Sequence, residues 1–370
     1  MYKRILIKVG TNLISDTKGI RKSFLKSFVK QAASLYKKGV EIIIVSSGAI
    51  GTGKKRLGIT KKTMSLPEKQ AAAAVGQVIL MQEYKKLFRE RKIKTAQVLL
   101  DHDDVKHKYK NINARNTIAK LLEWKVIPII NENDTVATEE IKFGDNDALA
   151  GIVSGMLNAE LAVILTNVGG VYDKNPEKNK NARILGHIQN VHTIIKDIEL
   201  KGKAEHGTGG MLSKLESARN LNYLGIPLVI TNGNTRDALL KAVERKGNDK
   251  GEGTFIESRK VKIEGRKKWI LTSLKSKGYI KIDDGATEFL YRKGKSLLAV
   301  GIKDVSGEFG FGDAVEILNR KAGKVGKGVT NYSSKELLKI KGKNTNEIKK
   351  IMGTGFYEEV IHRDNMFIYK

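Results

Sequence analysis

Apolar positions in the first two-thirds of the chain come in two alternating kinds of run. Residues 41–45 are almost uninterrupted aliphatic side chains, the pattern of a strand buried on both faces, and residues 5–9 form a shorter β-rich run. Between them, residues 23–38 space Phe24, Phe28, Ala32 and Leu35 at helical intervals. Pro67 opens a long helical stretch reaching about Arg91, with proline tolerated in the first turn. Further strands are predicted at 96–100, 126–130, 161–165 and 228–231, and helices at 112–124, 148–157, 212–224 and 236–243. Strand alternating with helix over roughly 250 residues predicts an α/β domain: a mostly parallel central sheet sandwiched by helices.

That rhythm stops near Lys246. Residues 247–253, GNDKGEG, are polar and glycine-rich, and the basic segment after them ends at Lys267-Lys268-Trp269, so the region reads as a linker. Beyond it, short strand-like runs at 278–282, 296–300, 314–318 and 327–329 are split by glycines, as in small β-barrels. The boundaries drawn are 1–257 for the first domain, 258–267 for the joining segment and 268–370 for a smaller, mostly β module.

Composition narrows the function classes. The 370 residues are 40% hydrophobic and 29% charged with only four prolines, the balance of a soluble globular chain. No apolar run is long enough for a membrane helix, and the opening MYKRILIKVG reaches Gly10 too soon for a signal-peptide core, so a cytoplasmic protein is expected. The absence of cysteine excludes disulfides, thiolate metal sites and cysteine nucleophiles. The formal charge of +28 divides as +18 over residues 1–260 and +10 over 261–370, a similar density in both parts. A lysine-rich solvated surface accounts for it; steering of anionic ligands or RNA is the functional alternative.

Ligands of open parallel sheets bind beyond the carboxyl ends of the strands, and several conspicuous clusters fall there. Lys8-Val9-Gly10-Thr11-Asn12 ends the first strand and can set an ammonium and backbone N–H groups against phosphate. Ser46-Ser47-Gly48-Ala49-Ile50-Gly51-Thr52-Gly53 follows the most hydrophobic strand, where glycines admit a close ligand and hydroxyls can hold a carboxylate or phosphate. Asn131-Glu132-Asn133-Asp134 and Gly144-Asp145-Asn146-Asp147 could hold a substrate ammonium and order a cation-rich phosphate site, although an Asp before a helix also serves as a cap. Gly207-Thr208-Gly209-Gly210-Met211-Leu212-Ser213-Lys214 runs into a helix as a glycine-rich anion nest with a lysine in the first turn. Thr166 and Asn167, after the strand at 161–165, could line a nucleotide pocket.

The missing signatures matter equally. HExxH, GxSxG, GxxxxGK[ST] and a GxGxxG after the first strand do not occur. Two lysines, several glycine loops and no evident general base fit phosphoryl transfer to an acceptor that is already an anion. A carboxylate, with a reference pKa of ~4.3 for Glu, needs no deprotonation at neutral pH. The protein's task then reduces to alignment and charge neutralisation.

In this order, these residues resemble the glutamate 5-kinases of the amino acid kinase family. The matching stretches are IKVGTN at 7–12, VSSGAIGTG at 45–53, AAVGQ at 73–77, NINARNT at 111–117, IPIINENDTVAT at 127–138, KFGDNDALA at 142–150 and GTGGMLSK at 207–214. The C-terminal part is similar to a PUA domain through DDGATEFL at 283–290, GKSLLAVGIKDVSGEFGFGDAV at 294–315 and NYSSKEL at 331–337. The resemblance implies ATP-dependent phosphorylation of the glutamate γ-carboxylate, the first step of proline synthesis. It implies that Lys8 and Lys214 flank the phosphates, that Asp147 holds both lysines, and that Ser47, Asp134 and Asn146 bind glutamate, with Gly48, Ala49 and Asp145 close by. It places ATP against Gly10, Thr166, Asn167 and the loop Thr208, Gly209, Gly210, Met211, Leu212, Ser213 and Lys214, with Mg²⁺ bridging phosphates through ATP oxygens and water and no metal site of the protein's own.

Two positions depart from the family pattern, Asn167 in place of a frequent aspartate and Leu212 in place of a small polar residue. The resemblance further implies proline as a feedback inhibitor, a homodimer or homotetramer, and glutamyl-phosphate reductase as a partner. Another acceptor on the same fold, and RNA binding through the PUA-like module, are the alternative readings.

Overall fold

The computed structural model describes residues 2–16, 19–61, 63–101, 104–105, 107–136, 146–176, 179–201, 209–245, 251–259, 265–353 and 355–369. Two compact units divide the chain, Met1–Lys262 and Ile263–Lys370.

The first unit is built on an eight-stranded sheet. In chain order its elements are β1 (Arg4–Val9), a short helix α1 (Thr11–Ile14), the hairpin strands β2 (Ser15–Asp16) and β3 (Gly19–Ile20), α2 (Lys22–Lys37), β4 (Glu41–Val45), α3 (Ala49–Arg56) and α4 (Leu66–Arg89). They continue with β5 (Lys94–Leu100), α5 (Lys108–Glu123), β6 (Val126–Glu132), α6 (Asn146–Met156), β7 (Leu161–Thr166), β8 (His187–Ile188), α7 (Val191–Lys201), α8 (Gly209–Tyr223), β9 (Leu228–Asn232), α9 (Ala238–Glu244) and β10 (Thr254–Ile256). The hairpin pairs with itself outside the main sheet, whose order is β5-β6-β4-β1-β7-β9-β10-β8. Strands β5 to β9 in that row run parallel, while β10 is antiparallel to β9.

Alternation along β1 sorts the two faces. Ile5, Ile7 and Val9 enter a core with Phe28, Tyr84 and Phe88, side chains from α2 and α4. Leu6 points the other way, into a core with Ile118, Leu149 and Val153 from α5 and α6. Lys8 shares the parity of Leu6, so the strand end that carries it faces the side on which α6 begins. With β4 and β7 on either side of β1, the chain reverses its direction of growth there, and a crevice opens at the carboxyl ends.

Strand β10 follows the glycine-rich stretch 247–253 and lies inside the first domain as bounded at residue 257. Thr254, Phe255 and Ile256 are buried, pair with β9 and, through Phe255 and Ile256, with β8, so the β-prone triplet TFI directly after the glycine-rich stretch sits between two strands near the end of the sheet. Residues 247–250 and 260–264 lie outside the described residues.

The second unit opens with α10 (Gly265–Ser273), which starts within the segment expected to join the domains. It goes on through β11 (Gly278–Ile282), α11 (Asp284–Lys293), β12 (Leu297–Leu298), β13 (Ile302–Gly307), β14 (Ala314–Leu318), β15 (Lys324–Val329), α12 (Ser334–Ile340), α13 (Thr345–Met352), β16 (Glu359–Ile361) and β17 (Met366–Ile368). Its five-stranded sheet has the order β13-β11-β14-β15-β17. Ile280, Ile317 and Val325 from the sheet pack with Leu337, Ile340 and Ile348 from the helices. The helical share exceeds what strand-like runs alone predict, since DDGATEFL and NYSSKEL are capped helix starts: Asp283 Oδ1 accepts the Ala286 N–H at 2.8 Å, and Ser333 and Glu336 form a capping box. The run at 296–300 is only briefly a strand, Leu297–Leu298, before a 3₁₀ turn.

Candidate active site

The ends of four adjacent strands surround one cleft of about 440 Å³. Strand β1 brings Lys8 and Gly10, the turn after β4 brings Ser47, Gly48 and Ala49, β6 brings Asn131 and Glu132, and Thr166 and Asn167 come from the end of β7. Thr11, Asn12, Asp134, Asn146 and Lys214 add further polar lining, and Leu13 and Ile50 supply an apolar edge.

At its floor lies one fully buried carboxylate. Lys8 Nζ is 2.7 Å from Asp147 Oδ1, and Lys214 Nζ is 2.8 Å from Asp147 Oδ2. Asp147 is 0% exposed, Lys8 3% and Lys214 7%. A buried ion triad of this kind contributes little net stability, because desolvation offsets the attraction. Its consequence is positional: two ammonium groups from β1 and α8 are held side by side on one anion, and the triad keeps a net positive charge toward the cleft. Asp147 sits in the first turn of α6, where a carboxylate also complements the helix dipole.

Beside the triad, the two hydrogens of Asn146 Nδ2 are shared among three acceptors, Ser47 Oγ at 2.9 Å, Asn131 Oδ1 at 2.8 Å and the Ser46 carbonyl. Ser46 Oγ lies 3.2 Å from the Tyr84 hydroxyl. Complete burial pushes the Tyr84 phenol well above its usual range, so that it stays neutral against the serine. Gly48 has φ +91°, a left-handed conformation that starts α3 and turns the Ser47 segment toward the cleft. Thr166 Oγ1 donates to Asn167 Oδ1 at 3.3 Å, so this asparagine offers the hydroxyl the same oxygen acceptor that an aspartate would.

Of the residues expected from the sequence, Lys8, Gly10, Ser47, Gly48, Ala49, Asp134, Asn146, Thr166, Asn167 and Lys214 share this cleft, with Asp147 between the lysines. Gly209 and Gly210 open α8 and are followed by Met211, Leu212 and Ser213. Met211, Leu212 and Ser213 are not among the residues lining the cleft. Asp145 and Thr208 lie outside the described residues. Sequence reasoning gave no separate role to Gln77, whose amide oxygen accepts from Asn131 Nδ2 at 2.9 Å. Its only signal was a place in the stretch AAVGQ.

Comparison with known proteins adds two domain matches. The amino acid kinase family matches residues 3–232 and the PUA domain residues 278–352. Glutamate 5-kinase from Maridesulfovibrio salexigens is 41% identical over 366 residues, covering 99% of this chain and 96% of its own. Glutamate 5-kinases from Dictyoglomus turgidum and Dictyoglomus thermophilum are 44% and 43% identical over 368 residues, each covering 99% of this chain and 98% of their own.

Proposed function

The chain belongs to the amino acid kinase family and, within it, aligns over nearly its whole length with glutamate 5-kinases, and from that premise we propose how its cleft carries out the reaction. The activity is ATP-dependent phosphorylation of the glutamate γ-carboxylate to glutamyl 5-phosphate, the first step of proline synthesis.

Lys8 and Lys214 neutralise the charge that spreads over the transferring phosphoryl oxygens, and Asp147 keeps both ammonium groups where that charge develops. Ser47, Asp134 and Asn146 orient the acceptor, with Gly48 and Ala49 permitting close approach. Gly10, Thr166, Asn167 and the start of α8 take the nucleotide. Because the attacking oxygen is already anionic, no base is assigned, and rate comes from alignment and preorganised charge. Mg²⁺ is assigned to nucleotide oxygens and water. Bound there, it would supply charge neutralisation between phosphates.

The observation that carries this reading is the sharing of one buried carboxylate by two lysines in the cleft that also presents Ser47 and Asn146. Purified protein with ATP and Mg²⁺ is offered glutamate, aspartate, N-acetylglutamate, carbamate and a nucleoside monophosphate, with hydroxamate capture of acyl phosphates. Glutamate-dependent ADP release with a captured hydroxamate is expected. Turnover of another acceptor in its place overturns the assignment. The proposal also takes proline as a feedback inhibitor, a homodimer or homotetramer as the assembly and a cytoplasmic location, which the same panel with added proline and a sizing measurement begin to test.

A further inference from the structure

We propose that Gln77 is a positioning residue for the acceptor substrate, acting through Asn131 and Asn146; the inference rests on the acceptor site proposed above. Gln77 lies on α4 and is not among the residues lining the cleft. Its Oε1 accepts from Asn131 Nδ2 at 2.9 Å, and Asn131 Oδ1 accepts from Asn146 Nδ2 at 2.8 Å. Three amides therefore form a relay from a helix behind the sheet to the cleft wall, and all three residues are buried.

The direction of the relay is set by two backbone groups that cannot reverse roles. Asn131 Oδ1 also accepts the Glu132 backbone N–H at 2.9 Å, and an N–H can only donate. At the other end, Asn146 Nδ2 faces the Ser46 carbonyl, which can only accept. Turning over either asparagine amide would set donor against donor or acceptor against acceptor in a buried site, a costly arrangement. The Asn146 nitrogen is thus committed to protein acceptors, and its oxygen is assigned to the ligand. An oxygen acceptor there suits a donor on the substrate such as an ammonium group.

Gln77 supplies the acceptor that satisfies Asn131 Nδ2. Without it, that buried donor loses its partner, Asn131 gains reason to rotate, and the Asn146 amide loses its fixed orientation. The effect is expected on acceptor binding more than on the lysine triad, in which Lys8 and Lys214 are each paired to Asp147.

Steady-state kinetics on the full chain test this, with glutamate varied at saturating ATP and the reverse. Gln77→Met keeps the side-chain length and removes the amide; KM for glutamate should rise about tenfold, with kcat and KM for ATP within about threefold of the parent. Gln77→Glu keeps an acceptor oxygen at the same reach and should restore KM for glutamate to within about threefold of the parent. An unchanged KM in Gln77→Met, a parallel change in both substrates and kcat, or a Gln77→Glu variant no better than Gln77→Met would each overturn the proposal. If Gln77→Met lacks the parent's melting transition, Gln77→Asn replaces it, since it keeps the amide but withdraws it by one methylene and must raise the same KM selectively. Should the parent prefer another acceptor, the acceptor assignment fails by itself, and the same split is then read on the acceptor it uses.

Discussion

The backbone of Gly76 lies so close to the Ala49 carbonyl that a Cβ on Gly76 would fall 1.9 Å from that oxygen. The neighbouring contact repeats the relation, because a Cβ on Gly53 would fall 1.7 Å from the Ala72 carbonyl oxygen. Helices α3 and α4 therefore meet backbone to backbone, and α3 carries the cleft residues Ala49, Ile50 and Gly51 at its start. One face of α4 fixes the substrate wall through Gly76, and the next residue, Gln77, fixes the amide relay.

Replacing Gly76 with alanine forces α3 away from α4. The obstructing atoms, the Ala49 carbonyl oxygen and carbon and the Gly53 nitrogen, all belong to the backbone, so the backbone itself must move. Gly76→Ala should destabilise the first unit by about 1–3 kcal/mol or more and raise KM for glutamate. Thermal unfolding read alongside glutamate kinetics checks both effects, and wild-type values in both would refute the close-packing account.

Removing one ammonium group tests the charge on the transferring phosphoryl group. Lys214→Ala should lower kcat about 10²–10³-fold, with the far-ultraviolet spectrum unchanged. The loss should appear in kcat and not chiefly in KM for glutamate, because the lysine is assigned to the transition state. Near-normal turnover in this variant would remove the role.

Asp147→Asn leaves both lysines buried without their shared anion. Breaking a buried pair by deleting one partner costs about 3–5 kcal/mol, so the first unit should melt at a clearly lower temperature. The double variant Asp147→Asn with Lys214→Met removes one of the stranded charges and should recover part of that loss. Absence of any recovery would mean that the ion triad is not the source of the defect.

The second unit carries a pH-dependent cap. Ser333 Oγ and the Ser333 backbone N–H each donate to Glu336 Oε2 at 2.7 Å. These bonds hold the Glu336 carboxyl below its ordinary value of 4.5, the side-chain bond contributing most. A depressed folded-state pKa means that the stabilisation is complete above about 4.5 and is lost as pH falls through the folded value. Glu336→Ala should therefore be less stable than the parent at neutral pH, and the gap should close in acid. Fluorescence of Trp269 during urea unfolding, in a Trp124→Phe background, isolates this unit; a gap that persists unchanged at low pH would contradict the assignment.

Much of the architecture could be read from local patterns. The aliphatic run at Glu41–Val45 is a central strand in the structure, and the long helix predicted from Pro67 is α4, Leu66–Arg89. Such runs report burial on two faces or on one stripe, which depends on near neighbours in sequence. Strand β10 escaped notice because three residues after a glycine-rich stretch carry almost no periodic signal; only pairing with β9 and β8 makes them a strand. The helices α11 and α12 were equally hidden among glycine-split apolar runs, although their capping residues Asp283 and Ser333 stood in plain view.

From the order of residues alone follow the alternating layers, the strand-end position of Lys8, Ser47 and Thr166, and the expectation of an anionic acceptor, since each depends on residue type and short spacing. Folding was needed to bring Lys8 and Lys214 onto the two oxygens of Asp147 and to link Gln77 with Asn131 and Asn146. Those partners come from elements far apart along the chain, and their distances are set by how strands stack and helices cross, which no local spacing encodes.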